Sequence, residues 1–249
     1  MFKDYELELL YQDKYLVAIN KPSGLLVHKS MIDRHEIYFA MKMLRDQIGQ
    51  WVYPIHRLDK PTSGILLFAL DSQTAKLMSE QFKAHTIQKT YIAIVRGYTS
   101  ESGEIKHALS EKLDKISDKK AKQDKEAQDA VTAFKRVATV ELDIAVGRYD
   151  KTRYSLLELK PQTGRKHQLR RHMKHISHHM LGDTKYGRGE HNKMIRKEFD
   201  CNRLLLHAIS LEVIQPYTNE SLIIKAPLDE IFKSILNKFG WKFDYNFDS

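Results

Sequence analysis

Residues 65–70, Ile-Leu-Leu-Phe-Ala-Leu, form an unbroken apolar run between Gly64 and the pair Asp71-Ser72. A continuous apolar run of that length reads as a strand. Asp71 and Ser72 then offer caps for a helix whose Ala75, Met78 and Phe82 share one side. The order here is strand followed by helix.

The other segments extend this picture without regular βαβ alternation. Residues 8–12 and 15–20 are β-prone runs around Asp13-Lys14 and predict a hairpin near the start of the chain. Residues 37–49 carry spaced apolar side chains suited to a short helix. In 89–96, Tyr91, Ala93 and Val95 alternate with Thr90, Ile92 and Ile94, so both faces of that strand should be at least partly buried. Further strands are expected at 131–142, 153–160, 203–211 and 221–226, and helices at 167–177 and 228–239. Residues 111–126 are rich in lysine and acidic groups with little apolar content, and read as a charged insertion dividing two halves of the sheet. No internal repeat is present. The scattered strands agree with an α+β (mixed α/β) fold, and the chain is expected to be a single domain spanning 1–249 with no accessory amino-terminal module.

Lysine and arginine outnumber aspartate and glutamate by 41 to 32, for a net charge of +9, which points to a polyanionic partner. The sole cysteine, Cys201, cannot form an internal disulfide, which suits a reducing cytoplasm. The first ten residues lack a basic start and a long apolar run, and no stretch approaches the ~20 apolar residues that span a bilayer. Secretion and membrane insertion are therefore not expected. No dinucleotide-binding, P-loop, CxxC or HExxH spacing occurs, so no cofactor or metal is expected.

The chemistry concentrates in His56-Arg57-Leu58-Asp59-Lys60-Pro61-Thr62-Ser63-Gly64, which sets an arginine and an aspartate two residues apart in a Pro/Gly-punctuated loop entering the apolar strand. Taken alone, this is also the pattern of an Arg-Asp surface pair in a turn. It is not a kinase catalytic loop, because no Gly-rich phosphate loop or DFG accompanies it.

HRLDKPTSG resembles the signature of the RluA-type pseudouridine synthases, and other blocks agree with that family in order: KPSGLLVH at 21–28, QKTYIAIVRG at 88–97, LKPQTGRKHQLRRH at 159–172, LGDTKYG at 181–187 and RLLLHA at 203–208. With DKISDKKAKQDK at 114–125 and FGW at 239–241, the text is most similar to the subgroup that modifies uridine 65 in the T-stem of tRNA. The resemblance implies the α+β fold class, with a bent, mostly antiparallel sheet flanked by helices and a central basic cleft. It implies isomerisation of uridine to pseudouridine in tRNA by base flipping and a catalytic aspartate, with no cofactor. Asp59 takes the place of that aspartate, Arg165 that of its ionic partner, and Tyr91 that of the tyrosine packed on the uracil. Arg57 takes the place of the wedge that fills the space of the extruded nucleotide, with His56 beside it. Leu169 and Leu206 are apolar walls of the uracil pocket or ordinary core. Two alternatives stay open: a pseudouridine synthase acting on ribosomal RNA, and a non-catalytic RNA-binding or RNA-folding protein. A monomer is expected, since no heptad seam is present.

Within 165–174, Leu169 and Met173 lie with Ile176 on one helical stripe, and Arg165, Lys166, Arg170, Arg171 and Lys174 lie largely off it, which predicts a basic face for RNA phosphates. His167, His172, His175, His178 and His179 are dense, yet no acidic outer shell accompanies them as metal sites require. At His179-Met180 the chain departs from the Pro-Ile commoner in the family, which bears on local loop shape and not on Asp59.

Overall fold

In the computed structural model, which describes residues 2–29, 35–110 and 126–243, the early hairpin forms as expected. Strand β1 (Leu9–Gln12) turns through Asp13, whose carboxylate accepts the amides of Tyr15 at 2.7 Å and Leu16 at 2.6 Å, into β2 (Leu16–Lys21). These local bonds close the turn without glycine. Helix α1 (Ala40–Ile48) ends on Gly49, whose φ of 68° supplies the left-handed cap. The short β3 (Tyr53–Pro54) precedes β4 (Ser63–Ala69), and Asp71 then caps α2 (Ser72–Lys83) by accepting the Thr74 amide at 2.8 Å. The remaining elements are β5 (Gln88–Arg96), β6 (Ser102–Lys106), β7 (Val131–Leu142), β8 (Thr152–Pro161), α3 (Gln168–His175), α4 (Gly189–Phe199), β9 (Leu206–Ile214), β10 (Ser221–Lys225) and α5 (Glu230–Lys238). Ten strands and five helices among the described residues make an α+β fold.

The chain divides into two compact units. The first holds residues 1–88, 108–129 and 210–226, and the second residues 89–107, 130–209 and 227–249. In the first, β4 pairs antiparallel with β2, Leu16 opposite Ala69 and Lys21 opposite Gly64, and every residue of β4 is buried. That burial explains why its sequence is uniformly apolar and not alternating. Its core gathers Leu16, Ala18, Ile65, Leu67, Met78, Leu211 and Ile224, with Ala75 and Phe82 of α2 against it. In the second unit, β5, β8, β7 and β6 pair antiparallel in that order. Strand β5 is covered on both faces: Ile92 and Ile94 pack in a cluster with Phe232, Ile235 and Leu236 of α5, whereas Ala93 and Val95 pack with Leu169 and Met173 of α3.

Three expectations change. Strands β6 and β7 pair with each other, Gly103 opposite Phe134, so the charged insertion joins two neighbours in the sheet instead of dividing halves of it. The insertion itself, apart from Glu126, lies outside the described residues. Strand β9 begins at Leu206, later than the sequence pattern placed it, and α4 and the short β3 and β6 had no assignment from periodicity. Among the described residues no helix is long and apolar enough to cross a membrane.

Candidate active site

The loop carrying Asp59 is fixed by the block at 21–28. Lys21 is fully buried at the end of β2, and its ammonium donates to the carbonyl oxygens of Pro22 at 2.9 Å, Leu25 at 2.9 Å and Lys60 at 3.2 Å. A buried ammonium is tolerated only where its donors are satisfied, and three carbonyl dipoles aimed at Nζ do this. The Lys60 carbonyl also accepts the Gly24 amide at 2.8 Å, and Ser23 Oγ donates to the Pro61 carbonyl at 2.7 Å. Gly24 sits at φ 88°, a backbone state that favours glycine. The turn closes on itself through the Thr62 amide, which donates to the Asp59 carbonyl at 3.0 Å, before Thr62 and Ser63 enter the core. Asp59 is thus half-buried on a turn gripped from below, and Arg57 beside it is exposed.

His56, expected beside the RNA wedge, is half-buried and makes contacts within the protein. Its Nε2 accepts the Leu67 amide at 3.1 Å and its ring stacks on Phe82, with centroids 5.1 Å apart, so the imidazole ties the loop to β4 and α2.

In the second unit, Tyr91 lies on the face of β5 that carries Ala93 and Val95. It packs half-buried against the same apolar cluster as Leu169 and Leu206. The structure therefore brings these three expected site residues together. Leu169 and Leu206 are buried, at 7% and 3% exposure, as members of that core. Arg165 is half-buried on the turn that leads into α3, with Lys166 and Lys174 exposed and Arg171 half-buried.

Arg170 corrects the expected basic face. It is buried, and its guanidinium grips Asp183 through Nε and Nη2, both at 2.8 Å, with Asp183 itself almost inaccessible. Burial alone would raise the Asp183 carboxyl, but Arg170 and the amides of Tyr186 and Lys185 outweigh it and hold the group below the usual carboxylate range. The fork is spent inside the protein and not on phosphate. Asp183 belongs to the LGDTKYG block, and the neighbouring Gly182 is required there: at φ 74°, a Cβ would stand 1.8 Å from the Arg203 carbonyl oxygen.

The clustered histidines are engaged in hydrogen bonds and stacking with neighbouring residues. His167 Nδ1 meets Tyr186 Oη at 2.9 Å, His178 Nδ1 the Arg96 carbonyl at 2.8 Å, and His179 Nδ1 the Tyr186 carbonyl at 2.7 Å. His172 is fully buried between Thr132 and His107, and His175 stacks on His107 at 3.7 Å. Among the described residues no group of three or more histidine, cysteine or acidic side chains is arranged for a metal. His191, which sequence reasoning passed over, is buried; burial and the nearby Arg96 push its pKa down to about 4. It accepts from Arg96 Nε at 3.1 Å and meets Tyr154 Oη at 2.8 Å.

The α+β fold thus carries an aspartate on a braced turn of the first unit and, in the second, a tyrosine on an apolar face and an arginine at a helix entry. The chain belongs to the RNA pseudouridylate synthase family, whose pattern residues 15–175 match. It is 55% identical over 236 residues to a protein of Vibrio parahaemolyticus named tRNA pseudouridine synthase C, covering 95% of this chain and 96% of that one. A protein of the same name from Haemophilus influenzae is 52% identical over 236 residues, covering 95% and 99%. Among solved structures, human RNA Pseudouridylate Synthase Domain Containing 4 superposes with a TM-score of 0.70 at 28% identity, over 95% of this chain and 94% of that chain.

Proposed function

We propose that this protein converts a uridine of tRNA, uridine 65 in the T-stem, to pseudouridine, with Asp59 as the catalytic nucleophile. The observation that supports it best is the turn at Asp59, held by Lys21, Ser23 and Gly24 through main-chain oxygens and so built to keep one carboxylate in place. The similarity to proteins named for tRNA, over nearly the whole of both chains, favours tRNA over ribosomal RNA.

The reaction is an isomerisation. The Asp59 carboxylate attacks the uracil ring or the ribose anomeric carbon. The bond from N1 to the sugar breaks and the base rotates. A bond from C5 to the sugar forms, the bond to the Asp59 carboxylate breaks, C5 loses its proton and N1 gains one, so nothing is oxidised and no donor is consumed. Tyr91 presents an aromatic face to the ring and takes part in the proton transfer. Arg165 takes the role of ionic partner that the family resemblance gives it. A stacked target must leave its helix, at a cost of a few kcal/mol, and the exposed Arg57 fills the vacated space with a planar guanidinium. Lys166, Arg171 and Lys174 meet RNA phosphates. We propose further that the protein works as one catalytic domain, as a monomer, in the cytoplasm.

The test is carbodiimide mapping of pseudouridine in unmodified tRNA and ribosomal RNA incubated with wild-type protein and with Asp59→Asn. The expected result is a wild-type-only adduct at tRNA uridine 65. A wild-type-only adduct confined to ribosomal RNA would overturn the substrate and keep the chemistry. No adduct with either protein, alongside retained RNA binding, would favour a non-catalytic RNA-binding role.

A further inference from the structure

The turn Thr163-Gly164-Arg165 has little packing to hold it. Gly164 and Lys166 are exposed, and a Cβ on Gly164 would meet nothing within 4 Å. Its position depends on hydrogen bonds: the Val131 amide donates to Thr163 Oγ1 at 3.0 Å, and further bonds meet at Gln168, the first residue of α3, which is 5% exposed. The side-chain oxygen of Gln168 accepts from Thr163 Oγ1 at 2.7 Å and from the Arg165 amide at 3.0 Å. Its side-chain nitrogen donates to the Val131 carbonyl at 2.9 Å and to Thr132 Oγ1 at 3.0 Å. The orientation of the carboxamide is not arbitrary. The Arg165 amide can only donate and the Val131 carbonyl can only accept, so a flipped group would face like against like at both ends. All four of its bonds are used.

The anchor continues inward. Thr132 Oγ1 meets His172 Nδ1 at 3.0 Å, and His172 Nε2 meets the His107 carbonyl at 3.0 Å. A carbonyl only accepts, so Nε2 carries hydrogen; burial keeps the ring neutral, which leaves Nδ1 to accept from the threonine hydroxyl. Every bond from the Arg165 amide to the His107 carbonyl then runs in one sense, donor to acceptor, through fully buried Thr132 and His172. A chain in which each group has a single workable role holds its outer end in a single place.

We propose that Gln168 is a positioning residue that holds Arg165 in its working place and acts on the reaction through that arginine. The proposal rests on the reading of Arg165 as part of the catalytic machinery. Gln168 itself touches neither RNA nor the reacting atoms.

The experiment measures single-turnover pseudouridine formation at saturating RNA, on an RNA that the wild-type protein converts, with RNA affinity determined separately. Gln168→Met keeps the length of the side chain and removes all four bonds. Its expected effect is a fall of roughly 10–100-fold in rate constant, in line with the cost of a small misplacement, with affinity within about twofold of wild type. Thr163→Val, a gentler change on the turn, should show a smaller loss of the same kind. Arg165→Ala run in parallel sets the ceiling, since a residue acting through Arg165 cannot cost more than the arginine itself. A wild-type rate for Gln168→Met beside a slow Arg165→Ala would overturn the proposal and leave the arginine's role intact. So would a loss larger than that of Arg165→Ala, or a loss that falls on affinity and not on rate. A wild-type rate for Arg165→Ala would remove the arginine's role and the proposal with it.

Discussion

Replacing Lys21 by methionine removes an ammonium while nearly preserving the shape of the side chain. Three carbonyls lose a donor, but they do not suffer equally. The Lys60 oxygen keeps the Gly24 amide, and the Pro22 oxygen is partly accessible to water, whereas the bond to Leu25 is buried. The Leu25 carbonyl should cost about 1–3 kcal/mol as an unsatisfied buried acceptor, and the other two about 1 kcal/mol each for a weakened charged bond. Release of a buried charge offsets part of this. A net loss of about 2–4 kcal/mol is expected, read as a lower urea midpoint at unchanged slope. The same variant should lose at least tenfold in single-turnover rate under conditions where it remains folded, because the grip on the Asp59 turn is weaker and a 1 Å displacement can cost about 10²-fold. Wild-type stability would refute the burial argument. A destabilised variant that turns over at the wild-type rate would show that Lys21 holds the fold without holding the turn.

Arg170→Met should destabilise by about 3–5 kcal/mol in urea unfolding, because it leaves the Asp183 carboxylate buried with only main-chain partners; a loss below 1 kcal/mol would mean that the pair contributes nothing net. His191 has its folded pKa lowered to about 4, below the 6.5 of the unfolded chain, so its neutral state stabilises fully above pH 6.5 and that contribution falls as the pH drops from 6.5 toward 4. The loss should reach at most about 3 kcal/mol, and His191→Gln should flatten the stability profile in that window; an unchanged slope would contradict the assignment. Gly182→Ala should cost more than about 3 kcal/mol or prevent folding, since its new Cβ meets the Arg203 carbonyl and its φ is positive.

The local elements could be read from the sequence because their causes are local. The Asp13 turn, the Asp71 cap and the two-faced strand at Tyr91 each arise from residues within a few positions of one another, and periodicity finds them. Helix α4 escaped notice because His191, Met194 and Ile195 are its only buried residues among lysines, arginine and glutamates. Strand β6 buries only Ile105, so its polar text looks like a loop. The errors at the site have another origin. Arg170 lies next to the apolar stripe of α3, and its partner Asp183 is separated from it by 13 positions, so a helical wheel alone cannot tell an inward arginine from an outward one. Lys21 was missed as a support because it binds carbonyl oxygens, which leave no mark in a sequence, and Gln168 because half of its four partners are main-chain atoms and the other half come from separate elements. The resemblance drew attention to residues expected to meet the substrate; the structure adds those that stand behind them.

The tether at Lys21 addresses main-chain oxygens, and it is therefore blind to the identity of the side chains it organises. Leu25 and Lys60 supply it only a carbonyl, which any residue at those positions would supply equally. A saturation scan should show this asymmetry, with position 21 intolerant and position 60 permissive toward any residue that keeps the turn. The side chains around Asp59 are in this way left free to vary while the turn keeps its place.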